Sequence, residues 1–291
     1  MGRPSLNLFC DRKFKRKGIL LRFPADPQAD RLKAAEAYHD AMREVSKEFS
    51  DDLDAATLFA ESGMNLHPWG LWHQDGTPEA GTEEIVASLE SVMRRNPNHL
   101  GAIHYYIRTV EAWSNPERAL AGANKVASLA PAAGHIVHMP AHVYLRTGDY
   151  AAAVKTNEEA AAVDRAYLKA SGLQGIYSMM FYSHNLPFIA MCSALDGNYE
   201  EAKKNADMLS AHVGPHVKEM PPLEGWQRCQ SFFIHFCVIT SSPFSTFIPP
   251  TPSGSFNRSC CSASFFCRAS FTSETGTSKS PTLNSVGSNV A

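Results

Sequence analysis

The stretch Gly148-Asp-Tyr-Ala-Ala-Ala153 decides the fold of this chain, because variants of it occur elsewhere in the sequence. One variant, Gly197-Asn-Tyr-Glu-Glu-Ala202, follows 49 residues later, and a weaker one, Asn115-Pro-Glu-Arg-Ala119, lies 34 residues earlier. Pro97 and Pro131 are also 34 residues apart. A period of about 34 residues is typical of folds that are built from stacked structural repeats.

The body of the chain, residues 26–226, has apolar residues at helical spacing and strong helix formers throughout. Asp51 and Asp52 are candidate caps for the second helix, and no segment has the alternating pattern of a β-strand. We therefore predict an all-α fold, in which short turns make successive helices antiparallel. The predicted helices span residues 30–49, 53–64, 82–95, 98–113, 116–129, 133–147, 149–170, 177–196 and 198–212.

The repeated stretch resembles the tetratricopeptide repeat (TPR), a 34-residue helix pair with Gly-[Asp/Asn]-Tyr at the turn and a small residue where the helices approach. The resemblance covers about residues 98–213, with fainter helix pairs at 30–95. The body is also similar to uncharacterised bacterial and algal TPR-like proteins, through strings such as Gly134-His-Ile-Val-His-Met-Pro-Ala-His-Val-Tyr144. The resemblance implies a right-handed superhelix with a concave groove that binds ligands, and it implies no particular activity.

Two polar stripes follow helical spacing. One comprises His104, Arg108 and Glu111, and the other comprises His135, His138 and His142. Offsets of three, four and seven residues return to one face of a helix, so each stripe is one-sided. The TPR resemblance implies that both stripes and His184 face the concave groove, with His104 beside His138.

A metal site is one interpretation of these stripes. Two histidines four residues apart on a helix are able to chelate a divalent ion, and imidazole and carboxylate ligands suit Zn, Fe, Ni, Cu or Mn. Alternatively, Glu111 is not a ligand itself but hydrogen-bonds a ligand histidine and fixes the orientation of its ring. Arg108 either repels a cation or binds an anionic substrate. The candidate metal ligands are His104, Glu111, His135, His138, His142 and His184.

The leading functional interpretation is a TPR-like scaffold, without a cofactor, that binds a peptide or small ligand in a histidine-rich groove. The alternative is a metal-dependent enzyme, specifically a hydrolase whose metal activates water. A third interpretation is structural, with the histidines hydrogen-bonded between packed helices. Besides Arg108, the candidate ligand-binding residues are Trp69 and Trp72, whose loop either covers the groove or plugs the end of the solenoid.

Near each of two prolines, the sequence is compatible with two local backbone conformations. Pro140 either lies in the first turn of a helix that starts near Met139, so that His135 and His138 lie on the preceding loop, or it bends a longer helix. Pro187 raises the same alternatives for the helix of His184.

The two ends of the chain differ from its body. Residues 1–25 form a basic leader that we predict to be disordered; its apolar run is too short for a signal peptide, which favours a cytoplasmic protein, although organellar targeting stays open. Residues 227–291 form a Ser/Phe-rich tail, also predicted to be disordered, and residues 231–248 make a poor membrane span. The formal net charge of −2 indicates no nucleic-acid partner, and the oligomeric state stays open.

Overall fold

The computed structural model describes residues 18–226, except residues 27, 173, 174 and 176. Its helices follow the predicted order closely. They are α1 (Arg31–Glu48), α2 (Leu53–Met64), α3 (Thr82–Arg95), α4 (Leu100–Val110), α5 (Leu120–Leu129), α6 (Gly134–His138), α7 (Pro140–Thr147), α8 (Tyr150–Ser171), α9 (Ser183–Leu195) and α10 (Tyr199–Val213). The described residues also include short 3-10 turns at Pro116–Ala119, Gly214–His216 and Pro221–Leu223 and a π-helical turn at Ser178–Tyr182.

The helices stack in chain order. Helix α1 packs on α2, α2 on α3, and α3 on α4, while later in the chain α6 and α7 pack on α8, α8 on α9, and α9 on α10. Within the described residues there is no strand, and the isolated bridge between Trp72 and Pro78 is the sole β-type pairing. The predicted all-α fold of successive helix pairs is therefore confirmed.

The repeated stretch forms the turns between paired helices. Gly148 and Gly197 have φ of 83° and 80°, a left-handed conformation that ends one helix at little cost for glycine. Asp149 then accepts a hydrogen bond from the amide of Ala152, and Asn198 accepts one from the amide of Glu201. These side chains satisfy free amides at the start of the next helix. These two copies of the stretch are thus each a helix stop followed at once by a helix start.

Small residues let the helices of the central units approach closely. Ala153, Ala160 and Ala161 on α8 and Ala202 on α10 are all buried, with exposed fractions of 1% or less. Because alanine fills little space, α8 packs directly against α6, α7 and α9. Helix α8 thus forms the back wall behind the histidine-bearing helices.

The backbone around Pro140 combines both predicted alternatives. Helix α6 ends at His138 and α7 begins at Pro140, so the helix is broken, but Met139 keeps helical dihedral angles of φ −52° and ψ −37°. His135 and His138 therefore lie on a short helix and not on a loop. Pro187 lies inside α9, about one turn after the π-helical turn.

The ends of the described region refine the predicted boundaries. Within the leader predicted to be disordered as far as residue 25, residues 18–22 are helical, and Arg22 Nη1 lies 2.5 Å from Glu61 Oε1. This ion pair connects the segment to a buried carboxylate of α2. Residues 1–17 and the tail 227–291 lie outside the described residues. None of the described helices is both long and apolar enough to cross a membrane.

Candidate metal centre and ligand cavity

Four helices bring the two polar stripes together. Helix α4 provides His104 and Arg108 and ends at Glu111, α6 provides His135 and His138, α7 provides His142, and α9 provides His184. Neighbouring imidazole rings are 4.5–6.1 Å apart between centroids, forming a chain from His104 through His135 and His138 to His142 and His184. The structure thus gathers all six predicted metal ligands into one cluster.

His138 and His142 make the shortest contact between two rings of the cluster. Their Nε2 atoms lie 2.9 Å apart, across the break between α6 and α7. His138 is fully buried, and the exposed fraction of His142 is 3%. The two nitrogens are therefore held against each other away from bulk water.

The other nitrogen of each ring faces a hydrogen-bond acceptor. His138 Nδ1 lies 2.6 Å from Asn157 Oδ1, and the orientation of that amide follows from Asn157 Nδ2, which donates to Ala153 O at 2.8 Å. His142 Nδ1 lies 2.5 Å from the carboxylate oxygen Oε2 of Glu111. In a neutral imidazole one nitrogen carries the proton and the other accepts. The Nδ1 atom of each ring therefore donates to its acceptor, and the two Nε2 atoms face each other with room between them for a proton or a cation.

His184 adds a third nitrogen to this pair. One ligand atom from each of His138, His142 and His184 lies within 4.8 Å of the others. Two facing lone pairs repel each other unless a proton or a cation lies between them. The three nitrogens, with two rings oriented from behind by Asn157 and Glu111, form the arrangement that is usual for histidine metal ligands.

His104 meets a different partner from the one that the sequence predicted. Its Nε2 lies 3.1 Å from His135 Nε2, and its ring packs edge-on against that of His135 instead of His138. His135 lies one turn before His138 on the same face of α6. His104 therefore contacts the predicted face of α6, but one turn earlier than predicted. An ordinary hydrogen bond between two neutral rings, one donating and one accepting, explains this pair.

Arg108 and Glu111 form an ion pair at the edge of the cluster. Arg108 Nη1 lies 2.7 Å from Glu111 Oε1, and the two side chains are 14% and 15% exposed. The same Arg108 nitrogen is 3.5 Å from both ring nitrogens of His142, so it is directed at neither nitrogen in particular. Arg108 is thus close to His142 without blocking its Nε2 atom.

Burial keeps most of the histidines neutral. It lowers the pKa of His104 to about 3 and that of His135 to about 4, with nearby His and Arg charges adding to the effect. Burial also lowers the pKa values of His138 and His184 well below the usual range. Burial alone would raise the pKa of Glu111, but Arg108 and His142 lower that pKa to about 2. Near neutral pH the cluster therefore combines neutral rings at His104, His135, His138 and His184 with the ionised carboxylate of Glu111.

A cavity of about 460 Å³ opens beside the cluster. His104, His135, His142 and His184 line it, whereas His138 does not. Its other walls are mainly apolar, and its described ionised residues are Arg22, Arg108 and Glu111. A volume of several hundred Å³ is typical of small-molecule sites.

The two tryptophans of the loop have different roles. The ring of Trp69 lies 3.8 Å from the guanidinium carbon of Arg108 and lines the cavity. Trp69 also has φ of 62°, which is unusual for a residue other than glycine. Trp72 stacks on Trp113 at 4.6 Å and donates from Nε1 to Thr109 O at 2.7 Å. Both rings line the cavity, but Trp72 also anchors the loop, while Trp69 covers Arg108.

Several residues of the site were not predicted from the sequence. Asn157 had a signal, because a polar residue in a helix interior, four residues after Ala153, lies on the buried small-residue face of α8. Arg22, Met180, Phe181 and Trp226 also line the cavity, and no local pattern identified them. They reach the site from segments that are distant in sequence.

Comparisons with known proteins give a similarity in structure but none in sequence. No protein-family model matches the chain. No curated protein matches it either. Among solved structures, a thermophilic TPR protein from Thermus thermophilus is similar, with 13% sequence identity, a TM-score of 0.48, and coverage of 77% of this chain and 99% of that chain. The fold described above follows from the helix order and packing of the chain itself.

Proposed function

We propose that this protein is a TPR-like helical scaffold that binds one divalent transition-metal ion through His138, His142 and His184. The observation that supports this most directly is the 2.9 Å approach of two Nε2 atoms whose Nδ1 partners are both hydrogen-bond acceptors. A metal ion that binds both nitrogens would take the place of a proton between the two rings. Ligation at about 2.0–2.1 Å with tetrahedral angles separates two nitrogens by about 3.4 Å, so a small rotation of the rings would admit the ion.

The surroundings support a site that is open on one side. His142 and His184 line the cavity, and His138 is buried behind them. Three protein ligands leave a fourth position for water or a ligand, as in catalytic zinc sites. Neutral histidines suit Zn, Fe, Ni, Cu or Mn, and their geometry alone does not select one of these.

A hydrolytic enzyme is a second candidate function. The observation that favours it is that His142 and His184 line a mainly apolar cavity with Arg108 at its edge, so that a fourth coordination position of a bound metal would face the cavity. A metal in such a position lowers the pKa of bound water and generates a nucleophile. The cavity also supports a small ligand more than an extended peptide, because its volume is about 460 Å³.

Metal content of the purified full chain tests the proposal. The chain is stripped with a chelator, loaded with Zn²⁺ or Co²⁺, desalted and analysed for metal by mass spectrometry. We expect about one ion per chain, and loss of that ion in His138→Ala, His142→Ala and His184→Ala. His39→Ala is the matched control, because His39 is a part-buried histidine bonded to Ser62 outside the cluster.

Replacing Asn157, which hydrogen-bonds a proposed ligand, gives a second test. In Asn157→Ala all three ligands remain, but the acceptor that orients His138 is lost, so we expect metal affinity to fall by about 10–100-fold. Circular dichroism checks that each variant is folded. The proposal is wrong if the loaded wild-type chain retains no metal, or if it retains the same amount when His138 and His184 are replaced in folded protein; the two rings then share a proton.

A further inference from the structure

We propose that the cavity binds a small organic anion, whose negative group lies between the metal position and Arg108 and whose apolar part lies against Trp69, Met180 and Phe181. This inference rests on the proposed metal site. It adds the chemical class of the ligand and the residues that recognise it.

Charge balance is the first argument. Without an ion, the charged residues that line the cavity are already balanced, because Arg22 pairs with Glu61 and Arg108 pairs with Glu111. Histidine binds a metal through its neutral ring, so a bound divalent ion would bring two positive charges that the described lining residues do not neutralise. A positive centre in a largely apolar cavity favours a negatively charged ligand.

The position of Arg108 is the second argument. Its Nη1 lies 3.5 Å from the ring nitrogens of His142, beside the proposed metal position, and its side chain lines the cavity. Glu111 engages one edge of the guanidinium through Nη1. The planar guanidinium of arginine binds carboxylate or phosphate oxygens in pairs. Arg108 is therefore placed to bind the same anion that the metal ion would bind.

The loop that carries Trp69 is the third argument. The Trp69 ring stacks on Arg108 at 3.8 Å, which holds the plane of the guanidinium. The residue keeps φ of 62°, a strained conformation for a residue other than glycine and one that is found at ligand clamps. The loop therefore holds an indole ring over the arginine in spite of backbone strain.

The remaining walls define the apolar part of the ligand. Met64, Leu71, Met180, Phe181 and Trp226 line the cavity. No lysine or aspartate occurs among the described lining residues, so the positive charge is confined to the region of Arg108, Arg22 and the metal position. This distribution suits a molecule with one anionic group and one apolar or aromatic body.

Binding of phenylacetate to the Co²⁺-loaded full chain tests the inference. Phenylacetamide is the neutral probe of the same shape, and acetate is the probe without the apolar body. Calorimetry measures affinity, and the visible spectrum of Co²⁺ reports a ligand that enters its coordination sphere. We expect phenylacetate to bind with a change in the spectrum, acetate to bind more weakly, and phenylacetamide to bind least.

Arginine variants test the role of Arg108. In Arg108→Gln we expect phenylacetate affinity to fall by about tenfold to a hundredfold while the Co²⁺ content stays the same. Arg118→Gln is the matched control, because Arg118 also stacks on a tryptophan, Trp113, and pairs with a carboxylate, Glu90, but does not line the cavity. We expect this control to bind phenylacetate like the wild type.

The outcomes separate the two proposals. A chain that holds Co²⁺ but binds phenylacetate no better than phenylacetamide, or equally well in Arg108→Gln, overturns the anion inference and leaves the metal site intact. A chain that holds no Co²⁺ overturns the metal site, and the anion inference falls with it.

Discussion

At the scale of single residues, a close approach between Gly134 and Asp164 determines where the histidine cluster lies. Gly134 begins α6, and a Cβ atom at this position would lie 2.0 Å from Asp164 Oδ1. The carboxylate is fully buried and accepts hydrogen bonds from Tyr177 and Asn185, both at 2.8 Å, so it has little freedom to move. The missing side chain thus lets α6 lie against α8 with His135 and His138 facing the cluster.

We expect Gly134→Ala to lower the free energy of unfolding by about 1–3 kcal/mol or more, because the methyl group overlaps a fixed carboxylate. Urea denaturation measures the change. Gly101→Ala is the control, since a Cβ there would lie 3.4 Å from its nearest neighbour and alanine favours the helix. Equal stability of Gly134→Ala and wild type would mean that the helices separate easily at this point.

Helix ends and breaks determine the site at the scale of elements. The break at Pro140 separates α6 from α7 but keeps His138 and His142 on one face. Trp226, which follows the turn at Pro221–Leu223, also lines the cavity. Leu223 and Trp226 are 1% and 3% exposed, and they pack in one core cluster with residues of α9 and α10. The Trp226 ring also lies 5.8 Å from that of His184.

We expect Trp226→Ala to lower the free energy of unfolding by about 3–5 kcal/mol, the usual cost of removing a buried aromatic side chain. Circular dichroism during urea denaturation measures it without depending on tryptophan fluorescence. Met208→Ala, at a residue of α10 that is 38% exposed, should change stability by about 0.5 kcal/mol or less. A similar small effect for Trp226→Ala would show that the segment after α10 is not part of the core.

The stability of the whole molecule depends on the neutral state of its histidines. The unfolded chain protonates a histidine near pH 6.5, whereas burial lowers the folded-state pKa of His104 to about 3 and that of His135 to about 4. Below pH 6.5 the unfolded state therefore binds more protons than the folded state. Stability is complete above this pH and is lost as the pH falls toward the folded-state pKa values.

We expect the Tm of the metal-free chain to fall steadily between about pH 6.5 and pH 4.5. Each buried neutral histidine contributes a slope of about 1.4 kcal/mol per pH unit in this range. Thermal unfolding in buffers that contain a chelator measures the slope, which should be smaller in His104→Gln. His73→Gln is the control at an exposed histidine of the loop. A Tm that stays constant throughout this range would mean that the cluster accepts protons without unfolding.

The helices were predictable because their signals are local. Asp30, Asp52, Asp149 and Asn198 each accept hydrogen bonds from amides at the start of a helix, and the residue types alone favour this role. Helical spacing also predicted which faces carry His104, His138 and His142. Their function as metal ligands stays a prediction, since spacing gives the face of a helix and not the distance to the next one.

The sequence by itself determined where helices begin, end and turn, and which of their faces are polar. Those properties depend on residues within a few positions of one another. The tertiary structure alone decided that Asn157 and Glu111 orient two facing imidazoles, that His104 meets His135, and that Trp69 covers Arg108. These contacts join helices that are far apart in sequence, so they depend on how small residues such as Gly134 and Ala153 let the helices pack, to within a fraction of an ångström.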